Sequence, residues 1–114
     1  MNQKNNNKPL GWVKFLTPKD DWYYIDSEER NRYYKDYKKI TTEVFDKGAK
    51  LIGTYKCRGQ SPWFRFELWE FPDLSVLVDF SNSLEQIGHY QYFEEENTFG
   101  RKYLRNTDPE NWLI

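Results

Sequence analysis

The run Trp63-Phe64-Arg65-Phe66-Glu67-Leu68-Trp69-Glu70-Phe71 holds five aromatic rings and neither glycine nor proline. Ring-rich, strictly alternating stretches of this kind fit a pleated strand and little else. Successive side chains of a strand point to opposite faces. Phe64, Phe66 and Leu68 therefore fall on one side, and Trp63, Arg65, Glu67, Trp69 and Phe71 on the other. The purely apolar set is expected to meet the rest of the protein. The mixed set is then an uncovered face that a second copy or a ligand must shield, because large apolar patches on soluble proteins mark interaction sites.

Elements on either side extend the pattern. Trp12 to Leu16 reads as a first strand ending at Thr17-Pro18, and Lys19 to Ile25 as a loop. Asp26-Ser27-Glu28-Glu29 has the form of a helix N-terminus, with an Asp cap and acids in the first turn. Tyr33, Tyr37, Ile40 and Val44 follow at spacings of 4, 3 and 4, one apolar stripe of a long helix closed by Gly48. Leu51 to Cys57 reads as a second strand, joined through Arg58-Gly59-Gln60-Ser61-Pro62 to the third in a hairpin. After Pro72, Asp73 caps a second helix with Leu77, Phe80, Leu84 and Ile87 inward and Gly88 at its end. Tyr90 to Phe99 reads either as a helical extension or as a fourth strand, with strand favoured for its second half. The order strand, helix, strand, strand, helix, strand is the ferredoxin-like βαββαβ arrangement: an α+β protein with two helices on one face of an antiparallel sheet.

Domain organisation follows from the same pass. Residues 1–9, rich in Asn and Lys, form a polar lead; 10–100 form one ferredoxin-like domain; 101–114 form a tail ending in Trp112-Leu113-Ile114. The 114 residues suit one core. The 8 Phe, 9 Tyr and 5 Trp, 19% of the chain, argue against wholesale disorder despite a mean hydropathy of −1.00. A net charge of −1 removes the broad positive field that nucleic acid or anionic membrane would need. One cysteine, Cys57, excludes an internal disulfide and fits a reducing cytoplasm, and one histidine leaves no zinc set. No stretch is long and apolar enough to enter a membrane.

Several segments together carry a likeness. They are Trp22 with Glu28-Glu29-Arg30, Lys50-Leu51-Ile52-Gly53, Phe66 to Asp73, and Gly88-His89-Tyr90-Gln91-Tyr92-Phe93-Glu94. They resemble the dimeric α+β-barrel superfamily, which includes antibiotic-biosynthesis monooxygenases, EthD-like and YCII-like proteins, and within it a group of small stand-alone bacterial proteins. The resemblance covers about residues 10 to 100. It implies a homodimer whose two sheets face each other as a barrel, with a cavity in each protomer. Members range from cofactor-free oxygenases through cyclases and isomerases to haem binders, so the fold fixes no reaction.

The candidate chemistry centres on His89, the one side chain that titrates near neutrality when unperturbed. It is assigned as an acid/base group with Tyr92 or Tyr90, and with Glu67 as a carboxylate that orients a substrate. Trp63, Trp69 and Phe71 are assigned to stacking against a hydrophobic or aromatic small molecule, with Tyr90 also among the ligand-binding residues and Arg65 reading a polar group on it. No cofactor is expected. Haem through His89 is the alternative, although in the haem-degrading branch the ligand histidine lies within the second helix rather than past its end. Glu94-Glu95-Glu96 reads as a solvated edge, since consecutive acids of a strand diverge. The competing reading is a non-catalytic dimerisation or protein-interaction module that uses the aromatic face as its interface.

Overall fold

In a computed structural model, residues 9–102 are described; the lead before them and the Trp112-Leu113-Ile114 tip lie outside that range. The elements are β1 (Leu10–Pro18), α1 (Asp20–Tyr24), α2 (Ser27–Asp46), β2 (Lys50–Lys56), β3 (Arg65–Phe71), α3 (Leu74–Gln86), α4 (His89–Tyr92) and β4 (Phe93–Arg101). The four strands form an antiparallel sheet in the order β2-β3-β1-β4, the ferredoxin-like α+β fold.

Caps set the two long helices. The Asp26 carboxylate accepts the Glu29 N–H at 2.9 Å, and Asp73 accepts that of Val76 at 3.1 Å. Gly48 and Gly88, at φ +105° and +85°, take the left-handed turns that end α2 and α3. Tyr33, Ile40 and Val44 of α2 and Leu77, Phe80 and Leu84 of α3 are buried against the sheet.

Two expectations are corrected, and one left open is decided: 89–92 form a helical turn and the fourth strand begins at Phe93. Residues 20–24 form a short helix instead of a loop. More consequentially, the alternation of β3 holds while its direction is reversed. Glu67, Trp69 and Phe71 face the helices, at 3%, 1% and 0% exposure, whereas Phe66 and Leu68 lie half-buried on the uncovered side. Register explains this. Leu10 pairs with Phe71, Trp12 with Trp69 and Lys14 with Glu67, so the neighbouring strand supplies both the rings that pack on Trp69 and a cation for the carboxylate. Trp12, Trp69, Phe71 and Phe80 form the centre of the core, with Trp69 and Phe80 centroids 5.1 Å apart. Burying the larger rings removes more apolar area from water than burying Phe66 and Leu68 would.

Alternation also fails before β3. Trp63 packs at a tilt against Phe15, on the uncovered face, and Phe64 turns toward the helix side. The face that no other described residues cover is consequently built from Val13, Phe15, Tyr55, Trp63, Phe66 and Leu68, with Tyr55 and Phe66 stacked at 4.9 Å.

Candidate functional site

A second ring cluster lies beside the main core, around Trp22, Tyr33 and Tyr92 with Tyr37 and Phe93 against them. Its frame is α1, tied down where Arg30 of α2 donates to the Trp22 carbonyl at 2.9 Å, and α4, held where Lys19 N–H donates to the Tyr92 carbonyl at 2.8 Å. Between this cluster and the sheet opens a cavity of about 470 Å³, walled chiefly by Trp22, Tyr33, Tyr37, Phe64 and Phe93, with Arg65 and His89 among its lining.

Gly88 turns the chain inward after α3, and His89 is 2% exposed. Its Nδ1 lies 2.6 Å from the Tyr33 hydroxyl and its Nε2 2.5 Å from Glu95 Oε2. The partners decide the protons: a carboxylate only accepts, so Nε2–H donates to Glu95, and Nδ1 accepts from the Tyr33 O–H. Burial pushes the imidazole below its ordinary value, only partly opposed by Glu95. Burial alone would raise Glu95, but the His89 bond and the Lys14 charge outweigh it and hold the carboxyl low. Burial drives Tyr33 and Tyr37 well above the usual phenol range. The consistent state is an ionised Glu95, a neutral His89 and a neutral Tyr33.

Behind Glu95 stands Lys14, with no exposure at all. Its Nζ is 3.1 Å from Glu95 Oε2 and 3.9 Å from Glu67 Oε1, and lies over the Trp12 and Phe80 rings at 5.4 and 5.5 Å. It makes no hydrogen bond of good angle, so it acts as a charge held among carboxylates and ring faces. Glu67 in turn accepts Trp69 Nε1–H at 2.9 Å and pairs with Arg65 at 3.1 Å. Arg65, Glu67, Lys14, Glu95, His89 and Tyr33 thus run as one polar chain through an otherwise aromatic interior.

Of the residues assigned from sequence, Arg65 and His89 border the cavity, and Glu67 lies one ion pair behind Arg65. Trp69 and Phe71 are core, and Trp63 is on the uncovered face. Tyr90 packs against the main core, its hydroxyl pushed up to about 12 by burial. Tyr92 does not meet His89: with this stretch helical, its hydroxyl donates to Glu29 at 2.8 Å. That bond, together with the stronger one from Arg32, holds Glu29 down to about 2. Sequence reasoning missed Lys14, Tyr33, Tyr37 and Glu95. Lys14 was visible as a charge at the inward parity of Trp12 and Leu16. Glu95 alone of the three acids turns in, with Glu94 and Glu96 exposed, which corrects the solvated-edge reading at that position. Among the described residues, no group of three His, Cys, Asp or Glu side chains is gathered to hold a metal ion.

Fold and site together define a ferredoxin-like α+β protein with an aromatic cavity and a buried ion chain at its wall. The chain belongs to a family that its model describes as "Family of unknown function (DUF6616)", matched over residues 11–108. Comparison with curated proteins finds no relative. Among solved structures it is similar to a chlorite dismutase-like protein, TA0507, at 19% identity and TM-score 0.66, covering 83% of this chain and 44% of that one. It is also similar to chlorite dismutase from Candidatus Nitrospira defluvii in complex with imidazole, at 15% identity and TM-score 0.72, covering 86% and 41%. The chain spans less than half the length of either, and at these identities the likeness is one of fold. Among the described residues, no helix is long and apolar enough to cross a membrane.

Proposed function

We propose that the protein is a homodimer, paired through the uncovered sheet faces, in which each protomer takes up a small, largely aromatic molecule and moves a proton on it without metal or nucleotide. The observation that carries this reading is the ring-walled cavity of about 470 Å³ with Arg65 and the buried His89 in its lining. Ligand sites are commonly concave, mostly apolar and furnished with a few convergent polar groups. The reaction class agrees with the cofactor-independent oxygenases, cyclases and isomerases of the superfamily that the sequence resembles. The face of Val13, Phe15, Phe66 and Leu68 replaces the face first assigned to pairing.

Haem through His89 is the alternative, and it would have to displace one of the two partners of the imidazole. Iron ligation needs a free imidazole lone pair, and here Nδ1 accepts the Tyr33 proton while Nε2–H is given to Glu95. The non-catalytic reading draws on the same uncovered face and differs in having no use for the cavity.

Native mass spectrometry and a titration of tryptophan fluorescence with nitrobenzene test the proposal, since Trp22 stands in the cavity wall. Two copies and saturable quenching are expected. A monomer refutes the pairing, and quenching that never saturates, as for collisional encounters in solvent, refutes the cavity and leaves the interaction module.

A further inference from the structure

Among the described residues, Tyr33 is the one phenol of the cavity wall whose oxygen is bonded to a base, and that base is itself backed by a carboxylate. Such a row is a device for moving a proton: the outer hydroxyl exchanges with a bound molecule, and the imidazole behind it stores the charge. The groups facing it come from every element around it. Tyr37 lies beside Tyr33 on α2 with ring centroids 5.8 Å apart, Lys14 comes from β1, Arg65 and Glu67 from β3, and Glu95 from β4. Lys14 and Arg65 balance Glu67 and Glu95, so the site starts neutral, and a proton arriving on His89 meets Glu95 at once.

Resting on the cavity reading above, we infer that the ligand is a planar, acidic phenol or enol and that Tyr33 takes its proton, with His89 and Glu95 as the positioning residues behind it. In the step, the ligand O–H bond breaks and its proton forms a new O–H bond on Tyr33. The hydrogen that Tyr33 carried passes to His89 Nδ1. The ligand is left as an oxyanion and His89 as an imidazolium, with no electron gained or lost. The oxyanion is formed in the cavity whose wall carries the Arg65 guanidinium, which gives only part of its fork to Glu67. The imidazolium keeps Nε2–H on Glu95, a carboxylate that Lys14 and the Asn97 amide hold in place. Burial weakens His89 as a base, so efficient exchange calls for a ligand more acidic than an ordinary phenol, one conjugated to a carbonyl or nitro group.

The test uses two probes of nearly the same shape, 4-nitrophenol, whose absorbance distinguishes phenol from phenolate, and nitrobenzene, which cannot ionise. Full-length wild type is expected to bind both and to hold 4-nitrophenol with its phenolate-to-phenol ratio raised about tenfold over the free probe, a shift of roughly one pKa unit. Compared at nitrobenzene-saturable binding, each variant at its own saturating probe concentration, Tyr33→Phe and Glu95→Gln should return the ratio to that of the free probe. Loss of the shift in Glu95→Gln, a side chain with no place in the cavity lining, reports a role exerted through His89. Wild type that binds both probes without a shift, or a Tyr33→Phe protein that keeps the shift, overturns the relay and leaves the cavity standing. Wild type that binds neither probe overturns the cavity and the relay with it.

Discussion

Replacing Lys14 with methionine removes the cation at the centre of the buried chain while nearly preserving its volume, so the cavity penalty of a truncation is avoided. Left behind are Glu67 and Glu95, about 4% and 3% exposed at the side chain and deprived of the ammonium between them. Removing one partner of a buried ion pair costs about 3–5 kcal/mol, a large share of the roughly 5–15 kcal/mol that holds a domain folded. With a urea slope of about 2 kcal/mol per molar, the midpoint should fall by about 2 M near neutral pH. The loss should also depend on pH. Glu95 has a lowered folded pKa, so it contributes stability above its ordinary value of 4.5 and loses it as pH falls through the folded value. The Lys14 share of that contribution is missing in the variant, whose Glu95 takes up a proton sooner. The gap between wild type and variant is therefore full near neutrality and narrows through the carboxylate range. Urea melts followed by circular dichroism near pH 7 and at about pH 4.5 measure both values. A loss below about 1 kcal/mol, or one equal at the two pH values, refutes the claim that Lys14 acts through its charge.

His89 titrates below its ordinary 6.5 in the folded chain, so stability should fall as pH drops from about that value, the unfolded chain taking a proton the folded one refuses; His89→Gln should flatten this limb of the urea midpoint against pH. Trp69→Leu, in the core rather than the cavity, should cost about 2–4 kcal/mol by thermal melting and leave nitrobenzene affinity unaltered. Tyr92→Phe gives up a bond to Glu29 and should cost less than about 1 kcal/mol in the same melt, with the ionisation of bound 4-nitrophenol unchanged. Phe15→Asp on the uncovered face should yield monomers in native mass spectrometry while the circular dichroism spectrum stays that of wild type.

The elements were legible because caps, glycine stops and spacing are local. Asp26, Asp73, Gly48 and Gly88 mark the helix ends in the sequence and in the structure. The direction of β3 was not, because a period of two says which residues share a face and carries no sign. The sign came from Trp12 and Lys14, some 50 residues away in sequence, which offered Trp69 and Glu67 what they needed to be buried. The same limit hid the relay. His89 stood out as a lone histidine, but its partners Tyr33 and Glu95 lie on α2 and β4, and only the helical turn of α4 aims the imidazole between them. Tyr92, nearer in sequence, was set aside by that same turn.

Two cations and two carboxylates sit on three neighbouring strands, and they are neutral only as a set. Lys14 and Glu95 are thus coupled positions, at which drift at one penalises every fold that keeps the other. A double change, Lys14→Met with Glu95→Gln, restores neutrality and should recover much of what either change loses alone. A chain so altered would be a sound fold with a silent histidine. Natural variants of this domain that exchange both positions together can be sorted, on that ground alone, from those still equipped to handle a proton.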